Sequence, residues 1–172
     1  MNDNKYDEYS LKRYNSSKVI AGYKAFNSNF TTRYKSLMEK GHFYTTDSNI
    51  KFGMSGYHFC KRMEDTLRYF DGFKPIQIAK VLGMGEIVEY YDHYNGYYDM
   101  YACSKIYIES FLTKEEIWQY VLTLVKEAEY GSLRLFRIIQ GYKLNEEQKR
   151  YILERLKNKN SYDYYEKAIE YY

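Results

Sequence analysis

From residue 19 to residue 111 the apolar positions come in short runs or in alternation. From residue 113 onward they recur at three- and four-residue intervals. The first stretch therefore predicts strands and the second predicts helices. Val19–Phe26 is the first strand-like run, and Asn27–Thr32 supplies turn residues after it. Shorter strand signals stand at His42–Thr45 and Gly56–Cys60. Between Arg62 and Phe70 the period changes: Met63, Thr66, Leu67 and Phe70 fall at i, i+3, i+4 and i+7, which predicts a short helix closed by Gly72 and Pro75. Ile76–Leu82 and Glu86–Tyr90 predict two strands around a turn at Gly83-Met84-Gly85. The segment Asp92–Gly96 ends in Asn95-Gly96, a hairpin signal because both residues tolerate positive φ, and Tyr97–Ile108 predicts the returning strand.

In the second half, Thr113-Lys114-Glu115-Glu116 fits a capping box, with the Thr hydroxyl and the Glu carboxylate each serving a main-chain N–H of the first turn. Ile117, Val121, Leu124, Val125 and Ala128 then give one apolar helical face, which Gly131 ends. Ser132–Gln140 predicts a second helix. Asn145 with Gln148 opens a third, through about Asn158. Ser161 opens a fourth that contains Tyr164, Tyr165, Ala168 and Tyr172. The expected class is α+β: an N-terminal, mainly antiparallel β-rich unit with one short helix, then a C-terminal helical lobe of three to four helices. The expected division is an arm or short helix over residues 1–17, the β-rich domain over 18–111 and the helical lobe over 112–172, packed on it.

Charge narrows the range of partners. Lys and Arg number 26 against 23 Asp and Glu, a net +3, which excludes a polycation whose binding is driven by bulk charge. The 45% hydrophobic and 28% charged content is that of a globular chain. The unusual feature is 24 Tyr, which brings the aromatic share to 20%. Codon bias toward AT-rich triplets explains part of that excess. Tyr nonetheless suits half-buried and interface positions, with a large ring, few rotors and one polar tip. The residues Met1 to Glu8 are polar, without an apolar signal region, and no run approaches the roughly 20 apolar residues that span a bilayer. The expectation is a cytoplasmic protein in a bacterial host cell, with Cys60 and Cys103 as free thiols and no membrane partner.

The segments Tyr23-Lys24-Ala25-Phe26-Asn27-Ser28 and Gly56-Tyr57-His58-Phe59-Cys60 form a pattern that continues through Asp65, Leu67 and Tyr69 to Ile78-Ala79-Lys80-Val81 and Gly85. This pattern resembles a small domain of uncharacterised phage and prophage proteins, over about residues 20–111. The motif residues are Lys24, Phe26, Asn27, Gly56, His58 and Cys60. The relatives carry Phe where this chain has Tyr57, and a Cys in the region of Thr31 and Thr32. The resemblance implies a mobile-element origin and a compact β-rich fold, and no known activity.

His58 and Cys60, two apart on a strand, share a face and invite a metal or nucleophile reading. A zinc site needs about four N or S ligands, and the spacing of His42, His93 and Cys103 matches no known module. The expectation is a packed strand end, with no metal and no cofactor. The succession of Gly56–Cys60, Asp65–Phe70 and Ile76–Val81 also resembles the element order of ADP-ribosyltransferases. Tyr23 and Lys24 stand where that family grips nicotinamide ribose with His or Arg, and Glu86, Glu89 and Glu109 are equal candidates for its late catalytic Glu. Gly83-Met84-Gly85 lacks the spacing and the Lys-Ser/Thr of a phosphate loop. A non-enzyme is the favoured reading.

Charge is polarised along the chain. Residues 86–116 hold seven acidic residues against two lysines, and residues 132–160 hold eight basic residues against three glutamates. Opposite patches of this kind dock different surfaces or stack copies of the chain head to tail. Arg134, Arg137, Lys149, Arg150 and Arg155, near Tyr142 and Tyr151, are the candidates for contacting nucleic acid. The strongest interaction candidate is the cluster Tyr90, Tyr91, Tyr94, Tyr97, Tyr98 and Tyr101 around the predicted hairpin. Alternation sends some of these rings to the core, leaving Tyr91, Tyr94, Tyr97 and Tyr98, with Asp92 and Asp99, as the expected protein-binding surface. The expected function is that of a phage- or prophage-encoded counter-defence protein, an anti-CRISPR-like inhibitor that binds a host nuclease or immune effector. The alternatives are an ADP-ribosyltransferase-like enzyme and a nucleic-acid-binding accessory protein.

Overall fold

The computed structural model describes residues 9–14, 16–32, 36–47, 49–50, 55–67, 76–92, 100–128, 133–159 and 162–171. Its strands are β1 (Tyr9–Tyr14), β2 (Ile20–Asn27), β3 (Phe43–Thr45), β4 (Tyr57–Cys60), β5 (Ile76–Asp92) and β6 (Met100–Phe111). The helices are α1 (Met63–Thr66), α2 (Lys114–Glu127), α3 (Leu133–Gly141), α4 (Glu146–Leu156) and α5 (Tyr162–Tyr171). The class is α+β, with one antiparallel sheet followed by helices.

The hairpin of β5 and β6 is the spine of the sheet. Along the outer edge of β5 lie β2, paired with residues 76–83, and then β1, paired with residues 87–92. Along the outer edge of β6 lie β4, paired with residues 100–103, and β3, paired with residues 105–107. β2 and β4 meet at the single pair Tyr23–Cys60. That contact closes β2, β5, β6 and β4 into a ring, a small barrel without a free edge at the seam. Phe26, Phe59, Val81, Ile87, Tyr101, Cys103 and Ile108 pack together as its core.

Two sequence expectations are corrected. Residues 9–14 belong to the sheet rather than to an arm or helix, since the upper half of β5 offers a row of main-chain groups that β1 pairs. The expected turn at Gly83-Met84-Gly85 is instead a corner inside one 17-residue strand. The ladder shifts register between Met84 and Ile87, where Gly85 takes φ +74° and Glu86 N–H donates to Ser104 Oγ at 2.9 Å. Gly83 is needed for a different reason: a Cβ there would lie 2.4 Å from the Phe59 ring. The two glycines bend the strand around the core instead of ending it.

The helical half follows its sequence signals closely. Thr113 with Glu116 and Asn145 with Gln148 both form reciprocal capping boxes. Ile117, Val121, Leu124, Val125 and Ala128 are all buried, as are Ile152, Leu156, Tyr165 and Ala168. Their core is continuous with Ala25, Met63, Leu67, Ile78 and Leu112, so the lobe packs against the outside of the barrel at α1 and the first half of β5.

Candidate functional site

The motif residues converge on the seam that closes the barrel. Lys24 on β2 donates from Nζ to the main-chain oxygen of His58 on β4 at 2.7 Å, just beyond the Tyr23–Cys60 pair. One ammonium thus joins strands whose ladder has already ended. Its amine lies among apolar groups, 5.9 Å from the Phe26 ring centroid. Burial lowers its pKa to about 8, partly opposed by the two cysteines. Half-buried His58 is lowered to about 4, by burial first and by the Lys24 charge second. Cys60 and Cys103 are both buried free thiols. They pack in different clusters, Cys60 with Ile50 and Met100, Cys103 with Phe59 in the barrel core. Burial pushes the Cys103 thiol up to about 12, the opposite of an activated nucleophile. Asn27 ends β2 by donating to Thr31 Oγ1 and to the Thr32 main-chain oxygen, both at 3.1 Å. Gly56 precedes β4 with φ +90°. Lys24, His58 and the Tyr23–Cys60 pair close the barrel, while Phe26 and Cys103 fill its core and Asn27 ends β2.

A second cluster sits where α1 meets the helical lobe. Glu64 and Asp65 are consecutive and almost wholly buried. Glu64 accepts from Arg134 Nε at 2.6 Å and from the Tyr120 hydroxyl at 2.6 Å, and Arg134 Nη2 donates to that hydroxyl at 2.8 Å. Asp65 accepts from Arg137 Nη1 at 2.7 Å, while its Oδ2 is buried without a hydrogen-bond partner among the described residues. Burial and the adjacent Glu64 raise the Asp65 pKa to about 6, against the pull of Arg137 and Arg62. Arg134 and Arg137 are one helical turn apart on α3, so both reach the acidic pair from one face. The result is a double clasp between the β half and the lobe. Sequence reasoning missed Glu64 and Tyr120 here. The only signal was two adjacent acids in a short apolar helix facing, in charge alone, two arginines at i and i+3.

Two rings of the tyrosine cluster belong to the core. Tyr90 and Tyr101 are buried. Tyr101 donates to Glu89 Oε1 at 2.8 Å, and Tyr14 donates to Glu89 Oε2. Tyr91 and Asp92 end β5, and Tyr94, Tyr97, Tyr98 and Asp99 lie outside the described residues. Leu11, Tyr90, Met100 and Cys60 pair in one row across β1, β5, β6 and β4. Of the other candidate glutamates, Glu86 pairs with Arg13 and Glu109 is exposed. Of the basic candidates, Lys149 pairs with Glu146 at 3.1 Å, whereas Arg150 and Arg155 are exposed.

Among the described residues no three His, Cys, Asp or Glu side chains gather into a group able to hold a metal ion, and no helix is long and apolar enough to cross a membrane. Comparison with protein-family models, with curated proteins and with solved structures finds no match to this chain.

Proposed function

We propose that the protein acts by binding another protein, through the tyrosine-rich connection between β5 and β6. The observation that carries this reading is the base of that connection. At the last paired row of β5 and β6 four strands lie side by side, and buried Tyr90 and Met100 pack there with Ile50, Val88 and Ala102. A chain segment anchored at both ends has less entropy to lose on binding than a free one, so aromatic contacts made from it keep more of their value. The strongly shifted groups described above, Lys24, His58, Asp65 and Cys103, have packed surroundings and internal tasks, which fits a binder.

The partner we assign is a nuclease or immune effector of the host cell, with the protein serving as a phage- or prophage-derived counter-defence inhibitor. That assignment draws on the resemblance over residues 20–111 and on the acidity around the hairpin, which complements a groove built for nucleic acid. The test is expression of the full chain in bacteria carrying an active nuclease-based immune system, followed by phage challenge. Plaque formation should recover by orders of magnitude in at least one such strain. Unchanged plaque counts across a panel of immune systems would overturn the assignment.

A further inference from the structure

The basic residues of the helical half separate in the fold. Arg134 and Arg137 turn toward Glu64 and Asp65, and Lys149 is held by Glu146. Lys143, Arg150, Arg155, Lys157 and Lys159 remain, and the last four lie within residues 150–159, where Glu154 is the one acidic residue. These ten residues carry an excess of +3, as large as the net charge of the whole chain. None of the four cations has a carboxylate partner among the described residues. Arg150, Arg155 and Lys157 are exposed.

Two aromatic rings stand beside them. The Arg155 guanidinium lies over the Tyr151 ring, 5.2 Å from its centroid. Tyr151 in turn meets Trp118 of α2 edge to face, with centroids 5.8 Å apart. Both rings are half-buried, so each keeps a solvent-facing part. A helix macrodipole favours cations in the last turn and accounts for Arg155 and Lys157. It does not account for Arg150 in the middle of α4, nor for a ring placed under Arg155.

We propose that this α2–α4 surface is a binding site for single-stranded nucleic acid. Phosphates meet Arg150, Arg155 and Lys157, while an unpaired base stacks on the Arg155 plane or on the Tyr151 ring it covers. Stacking of this kind needs free base faces, which single strands offer and duplexes do not. The site draws on residues of α2 and α4 and on none of β5, β6 or their connection.

Trp118 is the only tryptophan in the chain and reports on the site directly. The experiment titrates the full chain with labelled oligothymidylate and oligouridylate of about twenty nucleotides, with a duplex of the same length, and with heparin. Anisotropy and Trp118 emission are read together. Both single strands should bind and quench Trp118, and log Kd should change with log salt with a slope of magnitude about 2, from about three phosphates at about 0.7 each. Arg150→Glu with Arg155→Glu should weaken binding at least about tenfold at an unchanged melting temperature. Tyr151→Leu should weaken single-strand binding and spare heparin binding; if that variant fails to fold, the exposed arginine pair carries the test. The proposal is overturned by absence of binding at low salt or by indifference to the charge reversal. Equal affinity for duplex and heparin with Trp118 emission unmoved, the result of bulk charge alone, overturns it as well.

Discussion

The Lys24 ammonium and the His58 main-chain oxygen, 2.7 Å apart, hold together the two strands that close the barrel. A lysine in that position binds its proton more weakly when folded than when unfolded, since its pKa drops from 10.5 to about 8. Between those two values the unfolded chain holds a proton that the folded chain has released, so stability rises with pH across the window. Tyrosines and the Cys103 thiol titrate in overlapping ranges, which makes the difference against a variant the informative quantity. Urea unfolding at pH 7.5 and 9.5 should show wild type gaining on Lys24→Met as pH rises. An equal response of the two proteins would mean that the amine is as well solvated as in the unfolded chain.

His58 and Asp65 push stability in opposite directions in the acid range. The folded pKa of His58 is lowered from 6.5 to about 4, so its contribution is lost as pH falls through that interval. The folded pKa of Asp65 is raised from 3.8 to about 6, so its contribution is lost as pH rises between those values. The two partly cancel in the wild type and separate in single variants. Relative to His58→Gln, the wild type should be less stable at pH 4.5 than at pH 7. Relative to Asp65→Asn, it should be more stable at pH 4.5 than at pH 7. Equilibrium unfolding at the two pH values checks both signs.

Much of this architecture was legible in the chain. The capping boxes at Thr113 and Asn145 and the apolar face from Ile117 to Ala128 are local signals, and they stand where their chemistry demands. β1 was not legible, because its reason for being a strand is the unpaired edge of β5, about eighty residues away in sequence. Gly83 and Gly85 read as a turn because glycine pairs mark turns and barrel corners alike. The Phe59 ring of β4 beside Gly83 and Ser104 of β6 beside Gly85 decide between them, and both come from other strands. The seam was not legible: in the sequence Lys24, His58 and Cys60 carry only a resemblance and a packed strand end, and the closing contact from Lys24 to a carbonyl leaves no mark there. The clasp at Glu64 and Asp65 was least legible, since buried and exposed carboxylates look alike until their partners are placed.

Gly22 and Gly83 stand at two tight places in the barrel wall. At Gly22 a Cβ would stand 2.5 Å from the Cys60 main-chain oxygen, and at Gly83 it would stand 2.4 Å from Phe59, whose ring stacks on Tyr101 at 5.1 Å. Gly22→Ala and Gly83→Ala should each lose about 1–3 kcal/mol of stability. The obstacles differ in kind, and so should the rescue. Phe59→Leu should recover more of the loss in Gly83→Ala, where the ring is the obstacle, than in Gly22→Ala, where the Cys60 main-chain oxygen stands in the way beside the Phe59 ring at 2.7 Å. Thermal unfolding of the single and paired variants reads this directly. Equal rescue at both positions would contradict the stated geometry.

The tyrosine-rich connection supplies the contrast between a ring that folds the protein and a ring that serves a partner. Tyr90 is buried near the end of β5, 5% exposed, and Tyr90→Ala should cost about 3–5 kcal/mol of stability, as truncation of a core aromatic does. Tyr94→Ala with Tyr97→Ala should leave the melting temperature within the range of about 0.5 kcal/mol typical of surface changes. The same pair should weaken the protein partner by about 2 kcal/mol or more, the size of an aromatic hot spot, and should abolish the recovery of plaque formation. Arg150→Glu with Arg155→Glu is the matching control, because it alters the helical lobe and leaves the connection intact. It should preserve plaque recovery while losing single-strand binding. If Tyr94 and Tyr97 are dispensable for plaque recovery and Glu89→Gln abolishes it in a folded protein, binding through the connection is wrong. The Glu89 carboxylate held by Tyr14 and Tyr101 then becomes the centre of the function, and NAD consumption is the assay to run next.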